Sequence, residues 1–449
     1  MPLRRRQSRG TSQAPAQSEG VLIASTSWWA FPSRLAMQFA AVGLPADAIA
    51  PLGHPLRRTK AVRKVHGYDP LRPVAALLAA IRQSRPSLVV PCDDRAVRHL
   101  HELYERRRHH DDGVAELVAR SLGPPDQFAL VQSRYDLIAL ARAEGVAAPE
   151  MLRIRQPEDV RPAIAHLGLP AMLKVDGTWG GLGVASIASV EEGERQFRAR
   201  ARPLQASRAL KRLLVDRDAF HLLSWLERKA GEVTLQRFIH GRPANAALAC
   251  WEGEIIAANY AEAAVTQAGF GASTVARMID HPGMADTSVR LIRRLGLSGF
   301  CGLDFVIEQE TGIAHLIEMN PRSTPLTHVA LGPGRDLVAA LAARAGGRAV
   351  PDTAAVTDNS LIAFFPQAWH QNPQSKLLQA AFHDVPWQDA DLVRELIRPP
   401  WPDRGPLARL ARRLRGSSSP TIALRQMVEH GLSNKLLLQP MQSDGKKVY

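Results

Sequence analysis

Between Gly302 and Arg322 the chain reads Gly-Leu-Asp-Phe-Val-Ile-Glu-Gln-Glu-Thr-Gly-Ile-Ala-His-Leu-Ile-Glu-Met-Asn-Pro-Arg. Four of these side chains, Asp304, Glu318, Asn320 and Arg322, are of the types that hold a divalent cation and an anion. Two apolar, β-prone runs, 303–308 and 313–319, flank a turn ending in Gly312, which predicts a β-hairpin. With Glu310, Thr311 and Gly312 as a three-residue loop and Gly312 left-handed, Gln309 pairs with Ile313 and Asp304 falls opposite Glu318. Cross-strand neighbours lie about 5 Å apart. That is too close for two bare anions without a strong cost, but it is the right spacing to grip a divalent cation. Because strand side chains alternate, Asn320 and Arg322 leave the same face as Glu318. A four-residue loop sets Asp304 opposite Ile317 instead, and the turn residues leave both registers open. Hard oxygen ligands without His or Cys among them favour magnesium or manganese over zinc.

Magnesium commonly serves a phosphate, and residues 171–189 supply a loop that could bind one. A short apolar strand carries Lys174, a turn with Gly177, Gly180, Gly181 and Gly183 follows, and a second β-prone run leaves it. No Lys-Ser or Lys-Thr follows the glycines and the exit is a strand, so this is neither a Walker loop nor a dinucleotide-binding fingerprint. It reads as a hairpin tip whose backbone N–H groups can approach phosphates, with Lys174 as a point charge on the same groups.

These features, with the segment Thr234-Leu-Gln-Arg-Phe-Ile-His-Gly241 between them, resemble the ATP-grasp superfamily. Its marks are a Lys before a flexible Gly-rich loop, a short hinge strand that holds adenine, and a distal acidic pair ending in Glu-x-Asn-x-Arg. The resemblance covers residues 125–345, and Glu318-Met-Asn-Pro-Arg322 is its most specific element. It implies that Asp304, Glu318 and Asn320 bind Mg2+ (or Mn2+) and that Arg322 contacts phosphate or an acyl phosphate. It also implies that ATP lies under Gly180, Gly181 and Gly183, with the backbone of Arg237, Phe238 and Ile239 on the base and Gln236 beside it. Ser133-Arg134-Tyr-Asp resembles the family's earlier basic position, so Arg134 is expected on the phosphates with Lys174. Three departures stand out. Gln236 replaces a commoner acid, Pro243 replaces an acid often found after the hinge Gly, and residues 191–230 form a longer insertion than usual. Phe197, Leu204, Leu210, Leu213, Leu214, Phe220, Leu223 and Leu226 among its charges predict amphipathic helices that pack in the ordinary way, with a lid or a partner-binding role as the alternative.

By this resemblance the chain is expected to be an ATP-dependent, ADP-forming ligase. A substrate carboxylate attacks the γ-phosphate, an acyl phosphate forms, and an amine or thiol displaces phosphate. Arg322 and Lys174 are the expected catalytic groups, stabilising charge as it develops. Ser273, Arg277 and Ser323 are expected to border the acceptor site. An ATP-grasp kinase or carboxylase shares the same ATP-handling residues, and a nucleotide-binding scaffold is the reading outside enzymes.

The elements that must position these groups follow the rhythm of an α/β protein with an α+β core. Residues 1–19 read as a disordered basic tail rather than an export signal. Residues 20–123 alternate apolar runs with helical stretches, the βαβ pattern of a parallel sheet. Loops 25–29 and 92–95 then face the crevice at the strand ends, although Asp93 and Asp94 also suit the cap of the following helix. By the resemblance, residues 20–123 are expected to be the small α/β (pre-ATP-grasp) domain, 124–349 the two-subdomain ATP-grasp core, and 350–449 an extension without a family pattern, in which His370 and His383 read as surface or packing residues. A length of 449 residues with 45% hydrophobic content supports two or three domains. Three scattered cysteines, Cys92, Cys250 and Cys301, exclude a disulfide framework or thiolate zinc site and suit a reducing cytoplasm. No apolar run reaches membrane-spanning length.

The net charge of +14 raises nucleic acid and anionic surfaces as partners. Arginines concentrate at Arg4, Arg5, Arg6 and Arg9, at 106–108, and at 404–415, where Leu407, Leu410 and Leu414 recur at helical spacing beneath a basic face. Such a helix is expected to dock on the enzyme itself rather than on a membrane. No nucleic-acid module accompanies it. The expected partners are a small-molecule carboxylate and an amine or thiol acceptor, with a homo-oligomer compatible.

Overall fold

The structure is a computed structural model that describes residues 20–176, 183–200, 232–267 and 271–398, together with Arg404 and Val428. The basic tail, Gly180 and Gly181, most of the predicted insertion helices and the Leu407–Leu414 helix lie outside the described residues.

Strands β1 (Val21–Ala24), β2 (Ala46–Ala50), β3 (Val62–Gly67) and β4 (Leu88–Pro91) form a parallel sheet in the order β3-β2-β1-β4. All four residues of β1 and of β4 are buried, as expected where helices cover both faces of a parallel sheet. On one side Val21 and Ile23 pack against Phe31, Leu35 and Phe39 of helix α1 (Phe31–Ala41). On the other, Leu22 and Ala24 meet Leu77 of α2 (Pro73–Ser84), Leu100 and Leu103 of α3 (Asp94–Arg107), and Leu117 of α4 (Val114–Leu122). Asp93 caps α3, accepting from Ala96 N at 2.9 Å, and also accepts from Thr26 N at 2.6 Å and Thr26 Oγ1 at 2.7 Å. One carboxylate thus fixes a helix start and the loop leaving β1.

A second, antiparallel sheet has the order β5-β8-β6-β7, from β5 (Met151–Ile154), β6 (Ala171–Val175), β7 (Val184–Ile187) and β8 (Val233–Arg237). Leu173, Val175, Val233 and Leu235 bury one face against Ile164, Leu167 and Phe197. Alternation turns Lys174, Thr234 and Gln236 to the other face.

The third sheet runs β13-β12-β9-β10-β11-β14-β15, with β9 (Gly241–Trp251), β10 (Glu254–Thr266), β11 (Ser273–Met278), β12 (Gly299–Glu308), β13 (Ala314–Asn320), β14 (Leu361–Phe364) and β15 (Phe382–Asp384). Ala247, Ala249, Ala257, Ala261 and Ala276 line one face and meet α1 and the helix Leu337–Ala345. The other face, with Leu248, Leu303, Phe305 and Leu316, packs on helices Arg134–Ala143 and Pro282–Leu295. The chain after residue 350 therefore contributes two strands to this sheet, an addition with no motif in the sequence. It is tied down by a buried cluster in which Asp384 accepts from Arg34 Nη2 and pairs with His328 Nε2, each at 2.6 Å. His383 contacts the Leu378 carbonyl at 2.8 Å and meets Trp369 edge to face, a packing position, whereas His370 is exposed.

Candidate functional site

The β12–β13 hairpin closes differently from the three-residue loop anticipated above. Gly312 N donates to Glu308 O, Glu308 N donates to Ile313 O, and the loop is the four residues 309–312 with Gly312 at φ +72°. The Thr311 side chain favours this wider turn by bonding Glu308 and accepting from Ile313 N at 3.2 Å. The register at the turn, Ile307 with Ala314 and Phe305 with Leu316, by itself leads to Asp304 opposite Ile317. A β-bulge intervenes between Phe305 and Asp304, and Asp304 pairs with Glu318. The extra residue is Ile317, whose carbonyl accepts from Lys174 Nζ at 3.3 Å. The bulge thus turns the acids toward each other and aims the Ile317 carbonyl at the neighbouring sheet's ammonium group, the re-aiming such irregularities provide.

Around this hairpin the polar groups form a continuous chain. Asn320 Nδ2 donates to Asp304 Oδ2 at 3.0 Å, and Arg322 Nη2 donates to Asn320 Oδ1 at 2.9 Å. Gly302 makes room for Asn320's turn, since a Cβ there would lie 2.5 Å from Thr324 Cγ2. On the far side of Asp304, the directly paired residue of β9 is Asn245, half-buried on the same face. Period-2 alternation from Gly241 could have flagged this amide, but without the sheet order nothing linked it to Asp304. Arg134 reaches in from the first turn of its helix, which Ser133 caps, and binds Glu318 Oε1 at 2.6 Å and Asp176 Oδ1 at 3.0 Å.

Electrostatics follow from this crowding. Burial and the adjacent Glu318 push Asp304 up from 3.8 to about 6. Partial burial also works against charge on Glu318, but the Arg134 guanidinium and the Lys174 ammonium hold it below its ordinary value. Burial pulls Lys174 down from 10.5 to about 8, against the attraction of Glu318. Burial likewise disfavours charge on Arg322, but Asp94 outweighs it and holds the guanidinium firmly protonated.

Among the described residues no group of three or more His, Cys, Asp or Glu gathers to hold a metal alone. Two carboxylates with amide oxygens nearby suit magnesium, which takes one or two protein carboxylates and completes its shell with phosphate and water. The raised Asp304 fits the same ion, because a divalent cation removes the repulsion that raises it.

A pH dependence follows. Asp304 binds its proton more tightly folded than unfolded, so its stabilising contribution is present below its ordinary value of 3.8 and is lost as pH rises through about 6. A divalent cation must displace that proton at low pH. Thermal shifts with Mg2+ and ADP should therefore be larger at pH 7.5 than at pH 5; equal shifts would separate Asp304 from the metal.

The other anticipated residues are placed as follows. Gly183 closes the glycine loop by accepting from Val175 N at 3.0 Å. Gln236 is buried and its Nε2 has no hydrogen-bond partner among the described residues, so a donor faces the cleft beside Lys174. Arg237 N is committed to Glu150 O at 2.9 Å, and Phe238 and Ile239 are half-buried beyond it. Arg277 and Ser273 are not brought to the acids. Arg277 pairs with Glu262, on the face opposite Asp304, and is exposed, while the Ser273 hydroxyl donates to Val275 O at 3.0 Å. The alternation of β11 is the reason: Ala276, not Arg277, shares the face of Asp304. Ser323 is fully buried and donates to Pro91 O at 2.9 Å, tying the strand end to the first sheet instead of presenting a hydroxyl.

Comparison with known proteins bears on the fold. Residues 218–325 match the ATP-grasp domain family. Among curated proteins no sequence match is found. The fold is similar to the biotin carboxylase domain of Hydrogenobacter thermophilus 2-oxoglutarate carboxylase, solved with MgADP, ADP and bicarbonate, at TM-score 0.54 and 16% identity over 75% of this chain and 71% of that one. It is also similar to N5-carboxyaminoimidazole ribonucleotide synthetase from Thermus thermophilus, at TM-score 0.51 and 17% identity over 75% and 80% of the chains. A third similar structure is N5-carboxyaminoimidazole synthase from Aspergillus clavatus with ADP and 5-aminoimidazole ribonucleotide, at TM-score 0.54 and 10% identity over 75% and 79%.

Proposed function

We propose that this chain, which carries an ATP-grasp domain, is an ADP-forming ligase that activates a small carboxylate as an acyl phosphate and passes it to an amine or thiol. The observation that carries the reading is the convergence of Lys174, Arg134, Asp304, Glu318, Asn320 and Arg322 from three separate parts of the chain. Lys174 and Arg134 hold the ATP phosphates as a point charge and a planar fork. Asp304 and Glu318, with Asn320, hold magnesium, which when bound neutralises phosphate charge. A carboxylate oxygen of the substrate bonds the γ-phosphorus as the β–γ bridging P–O bond breaks and ADP leaves. Arg322 bears on the charge that develops on the acyl phosphate. The amine or thiol then attacks the carbonyl carbon, the C–O bond to phosphate breaks, and the nucleophile gives up its proton. Gln236, whose buried Nε2 has no partner among the described residues, and the backbone of residues 237–239 would hold the base, the Arg237 N–H excepted because it is committed to Glu150 O.

The proposed division is 20–123, 124–349 and 350–449, with β14 and β15 of the last segment completing the core sheet. No helix of the described residues is long and apolar enough to cross a membrane. The cysteines are free and buried, which supports a cytoplasmic location, and a homo-oligomer is compatible with the fold.

The test traps the intermediate without knowledge of the acceptor. The protein is incubated with MgATP, hydroxylamine and single carboxylic acids, beginning with bicarbonate, and ADP and hydroxamate are measured. For bicarbonate the trapped product is N-hydroxycarbamate. The expected result is acid-dependent ADP release with matching hydroxamate. A stable phosphorylated product that hydroxylamine does not cleave would instead show a kinase.

A further inference from the structure

Arg322 is not free to swing. Its Nε donates to Asp94 Oδ1 at 2.8 Å and its Nη2 to Asp94 Oδ2 at 3.2 Å, the parallel two-bond pairing of a guanidinium with a carboxylate. Nη2 also donates to Asn320 Oδ1 at 2.9 Å, and Nη1 to the Ser323 carbonyl at 3.3 Å. A guanidinium has five N–H groups. Four are committed, and the plane is fixed, so a single Nη1 N–H is left without a partner among the described residues.

The carboxylate that fixes it comes from another sheet layer. Asp94 is the first residue of α3, and its neighbour Asp93 already caps that helix. An acid in a first helical turn is ordinarily explained by the helix dipole, but Asp94 points its two oxygens at Arg322 across 228 residues of sequence. The Asp94 side chain is 38% exposed against 16% for Arg322, so the carboxylate reaches in from the rim of the cleft. Arg134 and Arg98 are the other cations acting on it.

We propose that Asp94 is a positioning residue for the reaction, holding the Arg322 guanidinium plane so that its one uncommitted N–H meets the transferring phosphoryl group. The N-terminal segment that carries Asp94 thereby sets the geometry of a group just past the end of β13, and the two must be docked for the site to be complete. This rests on the ligase reading above, and the test separates the two. MgADP affinity is measured by calorimetry with and without aluminium fluoride, which stands in for the phosphoryl group in transfer, in wild type, Asp94→Asn, Asp94→Glu and Arg322→Lys.

In Asp94→Asn the gain in MgADP affinity on adding aluminium fluoride should shrink at least tenfold, while MgADP alone binds within twofold of wild type. Arg322→Lys, which keeps the charge and loses the fork, should behave alike. Asp94→Glu, which keeps the carboxylate, should recover part of the loss. An unchanged fluoride-dependent gain in Asp94→Asn would overturn the positioning role, as would an equal loss of affinity for MgADP alone. Failure of the wild type to bind MgADP would instead remove the ATP reading, and this inference with it.

Discussion

Replacing Glu318 with Gln should lower ADP formation by on the order of 10²-fold or more while leaving the fold intact. The amide keeps the shape of the carboxylate but removes one of the two charges facing the metal position, directly across from Asp304. Two further consequences follow from the contacts. Asp304 loses the repulsion that helps hold it near 6, so its proton affinity should fall toward the ordinary range. Arg134 keeps Asp176 at 3.0 Å but loses the charged acceptor at 2.6 Å. Leaving a buried guanidinium half compensated should lower stability by about 1–3 kcal/mol, read as a modest fall in Tm. Circular dichroism and ADP release together decide the matter. Turnover within a fewfold of wild type would end the assignment of Glu318 to the metal.

Lys174→Met should weaken ATP by roughly 10- to 100-fold, the range of a lost charged hydrogen bond of about 1.5–3 kcal/mol, and leave adenosine within twofold. Methionine nearly keeps the buried volume and removes the charge, so only the phosphates register the change. The depressed value of about 8 for Lys174 adds a second readout. Below it the ammonium is already formed. At pH 8.5 much of the population is neutral, and bound phosphate must restore the proton. Calorimetry at pH 8.5 in buffers of different ionisation enthalpy should show proton uptake on ATP binding in the wild type and none in Lys174→Met. In the free protein the sign is opposite, because the unfolded chain binds more protons between about 8 and 10.5 and stability rises with pH over that window. Equal losses for ATP and adenosine would make Lys174 a structural residue.

The amino-acid sequence by itself determined the types and order of the chemical groups. Local chemistry was enough for this: Lys174 next to a glycine turn, β-prone runs around Gly312, and Glu318, Asn320 and Arg322 at alternate positions of the chain, although β13 ends at Asn320 and Arg322 lies in the bend just past it. The parallel first sheet was equally legible, since Val21–Ala24 and Leu88–Pro91 are apolar throughout, as strands covered on both faces must be. Register was not. The turn took four residues because of the Thr311 side chain, and the acids face each other only through the bulge at Ile317, which tertiary contact with Lys174 supports. Long-range partners were equally hidden. Arg134 with Glu318, Arg322 with Asp94, Asn245 beside Asp304 and Asp384 with Arg34 each join positions separated by dozens to hundreds of residues. That Ser273 and Arg277 stand apart from the acids was hidden for the same reason, because which face of β11 meets the acids depends on where β11 pairs, not on its own residues. Sequence pattern reports which groups alternate along one strand; which strands and helices bring their groups together is set by burial and pairing across the whole fold, and only the tertiary structure decided it.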